Sequence, residues 1–493
     1  MRAVLRRIYA DLLIAAAAAG ALAVFLLREQ SIAGAAGFPL DDAWIHLHFA
    51  RNIAEGAGFS YNPGTPVAGS TAPLWTLLLA AAVRVAGSSP AVVKVIGIVA
   101  TIAAGLLTRR AAAAWGAPAP AALGAGLVVV VSGPLTWGAL SGMEVSLAAA
   151  LVAAALLAHA NSAAPAAALL ASLAVLTRPE AILVLPALAV ARPLTVRRVL
   201  VHLGIAVLVL GPFVAFCIST VGAPWPATAA AKVEGGLLGW LAGLAVSPRA
   251  LFIDRPWQFS VEWIEWLTRT HWLLPFALVP ALGAVWWRHG RTLGIPACVL
   301  LAHPLAMALL APYRGPGFQE GRYSTQWLPL AMIVLASAVP PSWPGLSRIL
   351  AGLFVALALP TIAPSATRYA WGVQNINALQ VHIGQWVDRE TPRRARVATN
   401  DVGAIAYFSR RDIIDLMGLV TPAILPYRRD GDAGILRYLA ETCPDHVIIF
   451  PDWFPTLAAR ADLLEPRLRV RLEHNLVAGA AEMIVYRLKR CAV

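Results

Sequence analysis

Charged side chains are what this sequence has least of: 13% of its 493 residues, against roughly 25% in ordinary soluble domains. Hydrophobic residues make up 59%, which leaves a soluble chain too little polar surface to stay dispersed. Cysteine is rarer still. Cys217, Cys298, Cys443 and Cys491 show no metal-ligand spacing. Cys443 and Cys491 can pair if their region faces an oxidising compartment, and two unlinked thiols fit the sequence equally well. A glycine-rich phosphate cradle is lacking, which argues against a nucleotide-sugar enzyme of the soluble kind. So is an internal repeat with matching broken helices, which argues against a transporter built by duplication. The net charge of +13 comes from basic residues scattered singly or in pairs. That is the pattern of membrane anchoring and topology signals, with no basic stripe for nucleic acid.

What is present is a series of apolar runs near 8–27, 90–108, 118–136, 145–159, 163–177, 179–191, 198–219, 271–287, 292–311, 324–340 and 348–363. They predict an α-helical polytopic membrane protein with about 11 transmembrane helices. The first run has no convincing cleavage site and is kept as a span. A further stretch, 73–85, is ambiguous and is taken to lie at the outer surface. The positive-inside rule then puts Arg2, Arg6, Arg7, Arg109, Arg110, Arg192, Arg197, Arg198, Arg288, Arg291 and Arg348 on the cytoplasmic side. Of the twelve acids before residue 365, eleven, Glu234 among them, fall outside and only Asp11 inside. The expected location is a bacterial inner membrane, with the N-terminus cytoplasmic. Fourteen of the 26 acids follow residue 364, along with β-like runs at 447–450 and 483–486. Residues 365–493 therefore read as a small α/β domain in the periplasm or outside, a plausible size for one. Residues 1–364 are membrane-embedded, with a first outer loop at 28–89.

That loop holds the paired carboxylates Asp41 and Asp42 at the start of an expected helix, where backbone N–H groups and the helix dipole favour negative charge. A helix cap with a solvated neighbour explains them equally well on local grounds. Glu144 opens an apolar run, so a helix-end charge is its simplest reading. An arginine at the depth of Arg178 is costly unless paired or bound to phosphate; pairing with Glu180 across Pro179 or snorkelling would also serve. Arg322, near Arg314 and Tyr323, suits phosphate oxygens by bidentate bonding and suits an interfacial anchor almost as well. Lys232 is a weaker candidate. His46 and His48 point in different directions on a helix and form no metal pair. Trp225, Trp240, Trp257, Trp263 and Trp266 read mainly as interface aromatics, with sugar stacking second. Asp401, Asp412 and Asp415 lie around turns, Asp401 suiting a turn cap, and none is given a catalytic role.

Taken in order, these segments resemble the membrane glycosyltransferases of the C-type fold (GT-C), particularly the bacterial branch that includes mycobacterial arabinofuranosyltransferases. The resemblance rests on Asp41-Asp42, residues 50–64 (ARNIAEGAGFSYNPG), residues 70–80 (STAPLWTLLLA), Ser141-Gly142-Met143-Glu144, Leu176 to Glu180, Gly321-Arg322-Tyr323, 400–408 and 414–419. It spans nearly the whole chain; it is specific for the superfamily and says little about the sugar. It implies an inverting enzyme of cell-envelope biosynthesis that takes a sugar from a polyprenyl-phosphate donor. The acceptor is an extracytoplasmic glycan, glycolipid or protein. By position Asp41 matches the general base, Asp42 and Glu144 shape the site, and Arg178 or Arg322 holds the donor phosphate. The resemblance also leaves room for a divalent cation, Mg or Mn, on Asp41 and Asp42. Two other classes stay open: a transporter or flippase of a lipid-linked sugar, and a non-catalytic glycolipid-binding relative.

Overall fold

The computed structural model describes residues 2–233, 235–489 and 491. Glu234, counted above among the outer acids, and the side chain of Lys232 lie outside the described residues. Five helices among the described residues are long and apolar enough to cross a membrane, seven if each of two bent pairs counts as one span. Shorter apolar helices cover Pro73–Ala86, Val145–Ala160, Ala164–Thr177 and Pro179–Val190. The chain is thus an α-helical polytopic membrane protein with a small sheet near its C-terminus. The Pro73–Ala86 helix has 14 residues. At 1.5 Å per residue it is too short for a hydrocarbon core about 30 Å thick.

The chain forms two compact units. The first comprises Met1–Leu27, Lys94–Phe213 and Lys232–Thr367, and the second Arg28–Val93, Val214–Ala231 and Arg368–Val493.

Unit one is helical and packs through small side chains. Gly105 lies against Val130, and Gly126 against the backbone of Gly105, the close approach small residues allow between apolar helices. Arg109 donates to Asp11 at 2.6 Å and Arg110 at 3.2 Å. The single acid assigned above to the arginine-rich side is paired with arginines of that side.

Unit two is built on a five-stranded sheet: β1 (Arg396–Thr399), β2 (Asp412–Asp415), β3 (His446–Ile449), β4 (Leu464–Arg471) and β5 (Glu482–Leu488), in the order β2-β1-β3-β5-β4. β1 runs parallel to β2 and β3, and β5 antiparallel to β3 and β4. Alternate side chains serve opposite faces, as strand geometry requires. Val397, Ile413, Ile448 and Val485 belong to one core with Ile45 and Phe49 of the first loop. Ala398, Ile414, Val447 and Ile484 belong to another with Ile435 and Leu439. The first loop therefore supplies part of the sheet's core. Asn62 ties it further, its Nδ2 donating to the Ile413 carbonyl and its Oδ1 accepting from the Ile413 N–H. Cys443 and Cys491 are disulfide-bonded, with Cα atoms 5.3 Å apart.

Candidate functional site

Asp41 begins the Asp41–Ala54 helix, whose N-cap is Leu40. It caps another helix instead: its two carboxylate oxygens accept from the backbone N–H of Gly403 (2.6 Å) and Ala404 (2.7 Å), at the start of the Gly403–Ser409 helix. Glycine is needed at 403, because a Cβ there would overlap Asp41. The local reading of Asp41 as a cap for its own helix is thus replaced by a contact 362 residues away.

Burial and the neighbouring Asp401 push the Asp41 carboxyl well above its ordinary range, against the pull of the two N–H groups. Asp401, which the sequence suits to a turn cap and to no catalytic role, is itself pushed up to about 6 by burial, with Asp42 adding to the rise. Gln380 Nε2 donates to it at 2.6 Å and opposes that rise. Nothing in a turn-like Asn400-Asp401 pair signals proximity to the first loop; only the fold brings them together. Asp415 spends its oxygens on the N–H groups of Met417 and Val420, which is structural work.

His46 and His48 are buried and hydrogen-bonded. His46 lies 3.3 Å from both Thr76 and Ser70 hydroxyls. His48 accepts from Arg51 at Nδ1 (2.9 Å), so its proton sits on Nε2 and is donated to the Tyr61 carbonyl (2.9 Å). Burial and the Arg51 charge push it down to about 3.

In unit one a second group gathers. Arg178 is 4% exposed and donates to Glu144 at 2.6 Å and to Glu180 at 3.3 Å. Its guanidinium lies over the Tyr323 ring at 4.9 Å, and that of Arg322 lies 5.1 Å from the same ring. Arg322 also donates to the Tyr323 hydroxyl at 3.1 Å. Arg178 and Arg322, separate in sequence, thus meet at one tyrosine, and Glu144 joins them through Arg178. Arg178 is neither snorkelling nor a surface residue: two carboxylates compensate its burial. The turn before Arg322 holds Gln319, Glu320 and Gly321 at positive φ, and the indole N–H of Trp266 donates to the Glu320 carbonyl at 3.2 Å. The expectation that the loop tryptophans mark an interface is corrected for Trp263 and Trp266. Both are buried and stacked, with centroids 5.0 Å apart, whereas Trp240 and Trp257 are exposed.

Among the described residues no group of three or more His, Cys, Asp or Glu is arranged to hold a metal ion. Both Asp41 oxygens already accept N–H groups. A divalent cation on Asp41 and Asp42 would have to use the lone pairs that these two N–H groups leave free.

A domain of unknown function (DUF8728) matches residues 373–486. No curated protein matches the sequence. Solved structures do. ArnT from Cupriavidus metallidurans bound to undecaprenyl phosphate is 13% identical, with a TM-score of 0.57, over 96% of this chain and 98% of that one. The Archaeoglobus fulgidus oligosaccharyltransferase in complex with Zn and sulfate is 13% identical, with a TM-score of 0.56, over 96% of this chain and 73% of that one. The arabinofuranosyltransferase AftD from mycobacteria is 15% identical, with a TM-score of 0.45, over 95% of this chain and 41% of that one. The first two establish the GT-C fold for this chain.

Proposed function

We propose that the chain is a membrane glycosyltransferase that moves a sugar from a polyprenyl-phosphate donor to an extracytoplasmic glycan, glycolipid or protein. One observation carries this reading. A buried first-loop carboxylate is oriented by two backbone N–H groups, in a fold shared with a protein crystallised with undecaprenyl phosphate.

The acceptor hydroxyl oxygen bonds to the anomeric carbon as the bond from that carbon to the phosphate oxygen breaks. The bonding pair leaves with the polyprenyl phosphate, and the hydroxyl proton passes to Asp41. Each carboxylate oxygen has two lone pairs, so accepting one N–H leaves Asp41 a site for that proton. Its raised proton affinity suits a general base working near neutrality. Attack opposite the leaving phosphate inverts the anomeric centre. Asp42 and Asp401 raise the basicity of Asp41 and act as positioning residues. Arg322 and Arg178 hold the donor phosphate, guanidinium being matched to its oxygens. Glu144 acts through Arg178, whose guanidinium it orients, and takes no proton itself.

The membrane is proposed to be a bacterial inner membrane with the C-terminal unit outside. The Cys443–Cys491 disulfide supports that side, because such bonds persist in oxidising compartments.

The test is purified Asp41→Asn in proteoliposomes with a radiolabelled polyprenyl-phosphate sugar. Loss of a general base predicts turnover reduced roughly 10²–10⁴-fold, with donor still bound. Wild-type-like turnover removes Asp41 from the mechanism. Label that crosses the vesicle wall without entering product identifies transport instead.

A further inference from the structure

Unit two contains a cavity of about 350 Å³ that the transfer chemistry does not use. Its walls come from three helix ends: Arg51 and Glu55 from the Asp41–Ala54 helix, Arg84 and Ser88 around the end of Pro73–Ala86, and Tyr407 and Arg410 from Gly403–Ser409.

The charges are unbalanced. Three guanidiniums face a single carboxylate, Glu55, which among the described residues pairs only with Arg410, at 3.7 Å, between side chains 62% and 53% exposed. Carbonyls at helix C-termini attract cations, and the Tyr407 carbonyl accepts from Arg51 at 2.8 Å. That attraction does not account for the rest. Arg51 is 5% exposed, yet its Nε finds no partner among the described residues. Its guanidinium is held in place by the Tyr407 carbonyl, His48 Nδ1 and the Tyr407 ring 4.5 Å away. Arg84 makes no ion pair among the described residues. Burial and the nearby Arg410 charge work against the Arg51 cation. A fixed, buried guanidinium with an unused N–H, joined by two exposed ones, is an incomplete anion site.

We propose that this cavity binds a phosphate group carried on a larger molecule. Three guanidiniums can surround tetrahedral phosphate oxygens, whereas one would satisfy a carboxylate. The volume exceeds what a bare phosphate needs and leaves room for the esterified group. Two sources share this chemistry: a phospholipid headgroup and a soluble phosphoester. The apolar surface beside Arg84, with Leu77, Leu78 and Val85 exposed, is where a lipid headgroup would arrive, since basic pockets at membrane surfaces take such groups. The assignment does not rest on sugar transfer.

The full chain in detergent, stripped of lipid, is titrated with glycerol 3-phosphate, and separately with phosphatidylglycerol, read by native mass spectrometry. Wild type is expected to bind one or both. Binding of both means the headgroup suffices; binding of phosphatidylglycerol alone assigns the source to the membrane. Arg84→Gln/Arg410→Gln, both on exposed side chains, should bind roughly tenfold or more weakly, as expected for lost charge-assisted hydrogen bonds. Arg84→Lys/Arg410→Lys should recover part of the affinity. Arg393→Gln/Arg394→Gln makes the same change in net charge elsewhere and should leave binding unchanged. The proposal is overturned if neither probe binds wild type, or if the cavity variant and this control bind alike.

Discussion

The carboxylate of Asp41 accepts a 2.6 Å hydrogen bond from the backbone N–H of Gly403, joining the first loop to the sheet region across 362 residues. The residue proposed to take the acceptor proton is therefore also a structural cap. Any change in how the Gly403–Ser409 helix is seated changes the orientation of Asp41.

Gly403→Ala tests that dependence directly. The added methyl overlaps Asp41 backbone and side chain, so overpacking should cost about 1–3 kcal/mol. Thermal unfolding in detergent should show the loss, and transfer activity should fall although every carboxylate is intact. Unchanged stability and activity together would mean the Asp41–Gly403 contact is not made in solution.

Asp401 provides a pH prediction. Its carboxyl is raised to about 6, chiefly by burial. A raised folded-state value means that the proton is bound more tightly in the folded chain. The resulting stabilisation is complete below the ordinary carboxylate range and is lost as pH rises through about 6. The stability advantage of wild type over Asp401→Asn should therefore shrink from pH 4 to pH 7, as followed by melting temperature. In activity, removing the Asp401 charge lowers the proton affinity of Asp41, so the acid limb of the kcat/KM profile should move to lower pH. A purely structural Asp401 would leave that limb where it is.

Glu144 and Arg178 are both about 4% exposed and 2.6 Å apart. Arg178→Met leaves a buried carboxylate without its main cation, which typically costs about 3–5 kcal/mol. Adding Glu144→Leu should restore much of that stability. Donor binding should stay weakened in the double variant, because one of the two arginines proposed to hold the phosphate is gone and only Arg322 is left. Full recovery of donor KM in Arg178→Met/Glu144→Leu would show that Arg178 serves packing alone.

Gly321 has φ +73, and a Cβ there would overlap the Trp266 indole. A left-handed alanine costs about 1–2 kcal/mol before any overlap, and the turn that seats Arg322 must move. Gly321→Ala should change tryptophan fluorescence and raise the donor KM more than it lowers kcat. An unaltered KM would detach this turn from phosphate binding.

Some of this was legible without coordinates. Asp41, Asp42, Glu144, Arg178 and Arg322 are conspicuous because a charge in an apolar chain is costly and needs a reason. The strands β3 and β5 follow from the runs Val447-Ile448-Ile449 and Met483-Ile484-Val485. β4, with Glu465, Arg467, Arg469 and Arg471 in eight residues, gives no such signal, because an edge strand can keep polar side chains along its length. No sequence pattern gives Tyr323, Asp401 or the Arg51 cavity a functional role of its own. Their importance lies in what they touch.

By itself the sequence determined the class of this protein. Hydrophobicity belongs to each residue, and twenty apolar residues in a row need lipid or a large core wherever they fold. It also determined which side chains would be expensive to bury. Only the tertiary structure decided their partners: Asp41 with a helix 362 residues on, Arg178 with Glu144 and the Tyr323 ring, Arg51 with the Tyr407 carbonyl. A buried charge accepts whatever compensating group long-range packing delivers, and no local pattern in the chain records which group that is.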